Sequence, residues 1–199
     1  MVEKPKPAPA IEITEESLKK AETYYRKGEE LAERAILSFL RDSPLIVHGG
    51  RATNAYLPPW LDRETQDWDI FTPSNAKKQA EELERKLDKR YDGDYFGTEP
   101  ALHPGTFRIR NKVTGDVIAD ITLSDRTIAF KKIKGINYAT LDYHEDHILE
   151  TLDNPETAFR HKKDSETLQR IKIYRKMKKR RVQRRRRDDD YLSLSGIGW

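Results

Sequence analysis

The chain has 199 residues, of which 36% are apolar and 36% charged, with a net charge of +4 and no cysteine. That balance predicts one domain with a small core, a charged surface and a small helical appendage. Disulfides and cysteine–zinc sites are excluded, and no apolar run is long enough to span a bilayer, so no membrane partner is expected. The expected location is intracellular, cytoplasmic in the first place, with virion or nuclear association left open.

Residues 1–12, beginning MVEKPKPAPA, read as a flexible proline-rich lead-in without an apolar signal-peptide core. Ile13 to Leu40 carries a helical pattern, with Thr14 as N-cap and Leu18, Ala21, Tyr25, Ala32, Ala35 and Phe39 on one apolar face. Gly28 weakens its middle, and Pro44 prevents continuation. Leu45 to His48 is short and apolar, as a central strand is. A polar segment leads from it to a second strand, DWDIF, which is taken to carry both Asp67 and Asp69. Ser74 is expected to cap a helix from Asn75 to about Arg90, followed by a loop, YDGDYFGTEP. Thr106 to Arg110 and Val117 to Leu123 flank the turn-forming NKVTGD and predict a hairpin. A strand near Ile136 to Ala139 follows, then a helix from His144 to Leu152 and another begun by Pro155. Interleaved strands and helices with an antiparallel pair define an α+β (mixed α/β) class.

Chemistry concentrates on two strands. Side chains two apart on a strand point the same way, so Asp67 and Asp69 share a face, with Trp68 and Ile70 on the other. Two carboxylates so placed repel each other unless a cation sits between them. Asp120 interrupts the apolar VIADITL, and alternation puts it on a face with Ile118 and Thr122. If that strand lies beside DWDIF, the three acids form one cluster. The paired glycines Gly49 and Gly50 make a turn whose bare backbone can approach a phosphate.

The succession HGG (His48, Gly49, Gly50), DWD (Asp67, Asp69) and IAD (Asp120) resembles the nucleotidyltransferase superfamily of DNA polymerase β, CCA-adding enzymes and poly(A) polymerases. GGRATNAY and AFRHKKD are most similar to viral poly(A)-polymerase-like members. The resemblance covers Leu45 to Leu123, and more loosely Ala158 to Ile173. The distance from Gly50 to Asp67 is longer than in compact members, and LPPWLDRETQ reads as an inserted loop. The resemblance implies a nucleotidyltransferase-like palm, a mixed sheet flanked by helices with a helical basic extension. It further implies that Asp67 and Asp69 hold two Mg²⁺ (or Mn²⁺) ions, with Asp120 completing the ligand set and helping to deprotonate a hydroxyl. Gly49 and Gly50 would approach the triphosphate of an NTP substrate, and Thr53 or Asn54 would add hydrogen bonds to it. A nucleoside monophosphate would be transferred and pyrophosphate released.

Further cations are candidates by type. Arg51 adjoins the glycines, and Lys162 and Lys163, with Arg160 nearby, could offset triphosphate charge or lie on a solvated face. From Arg170 to Arg187 there are twelve Lys or Arg and no acid, which leaves the remainder of the chain net acidic. Within that run Arg175, Lys178, Lys179, Arg180, Arg181, Arg184 and Arg185 are candidate contacts to a nucleic-acid backbone, RNA favoured. Asp188 to Asp190 end the run, and the closing LSLSGIGW is too short to fold alone. His144 and His147 are expected at the surface, and Trp60 as an anchor of its loop. The expected division is 1–12 lead-in, 13–160 nucleotidyltransferase domain and 161–199 basic extension. Three functions stay open: transfer to an RNA 3′ end, transfer to a protein or small-molecule acceptor, and a non-catalytic nucleic-acid-binding scaffold.

Overall fold

Strict alternation in the three central strands gives the sheet one apolar face and one polar face. Val47, Trp68, Ile70, Ala119 and Ile121 are buried on one side, and the residues between them carry the acids. The computed structural model describes residues 14–16, 18, 19, 22, 28 and 30–195, with side chains up to residue 183. The chain divides into two compact units. One holds the described residues up to Ala55 together with Arg63–Thr140; the other holds Tyr56–Asp62 and the described residues from Leu141 onward.

The first unit is a seven-stranded mixed sheet: β1 (Ile46–His48), β2 (Trp68–Thr72), β3 (Phe96–Pro100), β4 (Thr106–Asn111), β5 (Val117–Leu123), β6 (Phe130–Ile133) and β7 (Ile136–Ala139). Their order is β3-β4-β5-β2-β1-β7-β6. The pairs β2/β5 and β1/β7 are parallel, and the other neighbours antiparallel. Helices α1 (Glu30–Leu40), α2 (Gly49–Tyr56) and α3 (Ala76–Tyr91) belong to the same region of the chain. Ala32, Ala35, Ile36 and Leu40 of α1 and Ala80, Leu83, Leu87 and Tyr91 of α3 join the apolar sheet face in one core. This is the α+β class that the sequence predicts.

Several local expectations are corrected. The helical face predicted from Ile13 to Leu40 is broken at Gly28, which is not helical and has φ +78°. Leu18, on the far side of that break, is exposed, and Ala21 and Tyr25 lie outside the described residues. Asn75, not Ser74, caps α3, its side chain accepting from the Lys78 N–H at 3.0 Å. The Ser74 backbone is already engaged by the Thr72 hydroxyl on both its N–H and its carbonyl. Part of the expected YDGDYFGTEP loop is strand β3. The Asp88 carboxylate at the end of α3 accepts the Tyr95 and Phe96 N–H groups at 2.8 and 2.9 Å and fixes where that strand starts. Strand β6 is an addition to the predicted elements; Lys134 (φ 51°) and Gly135 (φ 84°) form the left-handed pair that a tight hairpin turn requires.

The second unit contains a short 3₁₀ turn, Pro59–Leu61, helix α4 (Leu141–Asp153), a second 3₁₀ turn, Pro155–Arg160, and helix α5 (His161–Ser195). Ile148 of α4 meets Leu168 and Ile171 of α5 in a small core. The helix continues through Asp188 to Asp190 as far as Ser195; residues 196–199 lie outside the described part. His144, expected at the surface, is only 5% exposed. Burial first, and the neighbouring His147 second, push its pKa down to about 4. Between that value and the ordinary one near 6.5 the unfolded chain binds a proton that the folded chain does not, so stability falls as pH drops through this window. The expected contribution is a loss of about 2–3 kcal/mol between pH 7 and pH 4.5. Urea unfolding at both pH values should show that His144→Asn has a smaller pH dependence than the parent by this amount.

Candidate active site

The turn from β1 into α2 is built by two glycines that each leave room for a specific side chain. Gly49 has φ +66°, and a Cβ there would stand 2.1 Å from Oδ2 of Asp69. The Asp69 carboxylate therefore occupies the space that any other residue would fill. A Cβ on Gly50 would stand 2.3 Å from Nη2 of Arg63 and 2.4 Å from the Thr65 methyl. The glycines thus seat an acid and a guanidinium against the start of α2. Arg63 comes from the stretch read as an inserted loop, and no sequence signal singled it out. Asn54 of α2 clamps it in place: its side chain donates to the Arg63 carbonyl at 2.6 Å and accepts the Arg63 N–H at 3.1 Å. The Arg63 Nε is buried without a hydrogen-bond partner.

Strand register aligns a row of polar side chains across five strands. Glu99 pairs with Arg108, Arg108 with Asp120, Asp120 with Asp69, and Asp69 with His48. Asp69 and Asp120 are therefore direct neighbours on parallel strands, which lie about 4.8 Å apart. Two unit charges at about 5 Å repel by roughly 3 kcal/mol at an effective dielectric of about 20. Arg108 supplies the opposing charge: its Nε donates to one Asp120 oxygen at 2.9 Å and its Nη2 to the other at 2.8 Å. Its pKa is raised, chiefly by this hydrogen bonding and then by the charges of Asp120, Glu99 and Asp67, against the opposing effect of burial. Arg108 faces Asp120 because of a register shift between Ile109 and Arg110. An unbroken hairpin would set it opposite Ala119, so counting outward from the turn misses the partner.

Asp67 is not in the strand, as the sequence reading has it, but one residue before it. β1 pairs only as far as His48–Asp69 and turns into α2 at Gly49, so residue 67 has no partner on that side. Its carbonyl instead accepts from Nε of Arg51 at 2.9 Å. The charge of Asp67 acts on both Arg51 and Arg108. Arg51 itself stacks over the Trp68 ring at 4.2 Å and meets Glu33 at 3.5 Å. Burial lowers its pKa, with Glu33 and Asp67 acting against that. Thr53 is buried, its hydroxyl donating to the Gly49 carbonyl at 3.0 Å. Arg51, Thr53 and Asn54, candidate phosphate contacts by sequence, thus all brace the frame that carries Gly49, Asp67 and Arg63.

Among the described residues no three His, Asp or Glu side chains are already gathered as a cation site; both Asp120 oxygens are on Arg108. The donor set itself, carboxylate oxygens in register, suits a hard cation. Lys162 and Lys163 are exposed at the start of α5, in the second unit. In that unit Arg175 is paired with Asp142 and, at 2.6 Å, with Glu145. Lys178, Lys179, Arg180 and Arg181 are exposed, and Arg184 and Arg185 continue the same helix.

A mixed sheet with a glycine turn at one central strand and acids on the next two is a nucleotidyltransferase-like fold. The structure is similar to the Megavirus polyadenylate synthase, with a TM-score of 0.64 and 21% identity over 75% of this chain and 32% of that one. The chain thus spans about a third of the length of that protein. JHP933 from Helicobacter pylori is matched at a TM-score of 0.37 and 18% identity, over 73% of this chain and 60% of that one. No family model and no curated protein sequence matches.

Gly49→Ala introduces both a left-handed alanine, costing about 1–2 kcal/mol, and a collision with Asp69. Thermal unfolding should show destabilisation of at least that size, whereas alanine at Gly28, with nothing within 4 Å, should cost only the backbone strain.

Proposed function

We propose that this protein is a metal-dependent nucleotidyltransferase that moves a nucleoside monophosphate from an NTP to the 3′ end of an RNA. The observation that carries the reading is the side-by-side placement of Asp69 and Asp120 on parallel strands, with Asp69 seated directly against the Gly49 turn. In the reaction the acceptor hydroxyl oxygen bonds to the α-phosphorus and the bond to the β-phosphate bridging oxygen breaks. Pyrophosphate leaves, and the hydroxyl proton passes to the carboxylate row. Bound Mg²⁺ (or Mn²⁺) would be held by Asp67, Asp69 and Asp120 and would stabilise the attacking and leaving oxygens.

The protein's own cations suit a triphosphate. A helix N-terminus carries partial positive charge, so a guanidinium placed against the start of α2 is poorly matched to the helix alone. An anion bound beside the turn offsets both positive charges. Arg108 fixes the orientation of Asp120 while no cation shares that carboxylate. The similarity to a polyadenylate synthase favours RNA as acceptor, and the exposed basic stretch of α5 offers sequence-independent phosphate contacts.

Labelled RNA incubated with each NTP and Mg²⁺ should be extended with release of pyrophosphate, and EDTA should stop both. Asp69→Asn should lower the rate by at least about 10²-fold. Label recovered on protein or on a small molecule, with none on RNA, would move the acceptor class; no pyrophosphate release with any acceptor would sink the reading. In a separate test, replacing Lys178, Lys179, Arg180 and Arg181 by alanine should reduce the salt slope of RNA binding by about 3, as measured by titration across ionic strengths.

A further inference from the structure

Beyond the acid row, on the same sheet face, lies a pocket of about 400 Å³ whose walls include Ile46, Phe71, Ser124, Arg126, Ile128 and Phe130. It is open to solvent, carries both apolar and polar walls, and is large enough for one nucleoside-sized group. The His48 ring stacks on Phe71 with centroids 3.7 Å apart and planes 12° off parallel. Phe71 bounds the pocket and His48 does not, so His48 leaves the pocket side of Phe71 open to a further aromatic partner. The loop that closes the pocket is braced, with the Ser124 N–H on the Thr72 carbonyl at 2.9 Å and the Ser124 hydroxyl on the Arg126 carbonyl at 2.5 Å.

Position along the strands selects the occupant. The Gly49–Gly50 turn and Arg63 lie at one end of the β1/β2 pair, the Asp69–Asp120 row comes next, and Phe71 with Ile46 follows. In a phosphoryl displacement the attacking and leaving oxygens are roughly in line on opposite sides of phosphorus. With the triphosphate at the glycine turn, pyrophosphate departs on that side and the nucleophile approaches from the pocket side. Phe71 is two strand residues beyond Asp69, about 7 Å, a span that one ribose bridges between its base and its reacting hydroxyl. We propose, resting on the transfer reading above, that this pocket holds the terminal nucleoside of the acceptor, its base stacked on Phe71 and covered by Phe130.

The test is fluorescence anisotropy with a 5′-labelled RNA trinucleotide, intact or abasic at its 3′ residue. The wild-type protein should bind the intact trinucleotide about tenfold more tightly. Phe130 is half exposed, so Phe130→Ala should leave the melting temperature and the binding of a fluorescent ATP analogue unchanged while removing most of that preference. Thr127→Trp, which fills the pocket from its exposed rim, should do the same. Equal binding of the two trinucleotides by wild type, or a preference kept by both variants, would overturn the assignment. Pyrophosphate release is read in parallel. Its absence with a preserved base preference contradicts the transfer reading, whereas normal release without the preference contradicts only the nucleoside site.

Discussion

Two like charges side by side govern this structure. Parallel pairing of β2 and β5 sets Asp69 next to Asp120, and no rearrangement of side chains alone can carry the two strands apart. The repulsion must be met by positive charge. Arg108 meets it from β4, gripping both oxygens of Asp120, and the Gly49 turn lets the Asp69 carboxylate lie against backbone rather than against its neighbour. All three side chains lie on the polar face of the sheet and stay partly solvated, so the pairing carries a modest desolvation cost.

The surrounding residues act mainly as a frame. Arg51 ties the segment before β2 by hydrogen bonding to the Asp67 carbonyl and stacking on Trp68. Asn54 grips the backbone of Arg63 from the helix that follows the glycine turn. These contacts hold the acid-bearing strand and the glycine turn in a fixed relation. On the far face, the core formed with α1 and α3 buries Val47, Ile70, Ala119 and Ile121, so the strands bearing the acids are anchored in the core.

The sequence shows the acid strands clearly because their alternation is undisturbed: Trp68 and Ile70 are buried, and Asp69 between them is not. It also shows the β4–β5 hairpin, whose turn chemistry is local. What it hides depends on distant partners. GGRATNAY has too little apolar periodicity to announce α2, which forms because β1 ends in a glycine turn. Arg108 becomes the partner of Asp120 only through a one-residue register shift, and Arg63 reaches Gly50 only because a long excursion returns to the start of a helix. His144 looks like a surface histidine until α4 is packed, whereupon it is buried. Arg51, Thr53 and Asn54 adjoin the glycines in sequence, and the sequence does not show that each also hydrogen-bonds the backbone of the frame.

The most direct measurement is a crystal structure with Mn²⁺ and a non-hydrolysable NTP, in which the metal is located by its anomalous scattering. The account predicts a manganese peak within bonding distance of both Asp69 and Asp120, with the Arg108 guanidinium drawn away from at least one Asp120 oxygen. A nucleotide bound with no metal at that pair, and the Arg108–Asp120 fork intact, would contradict it.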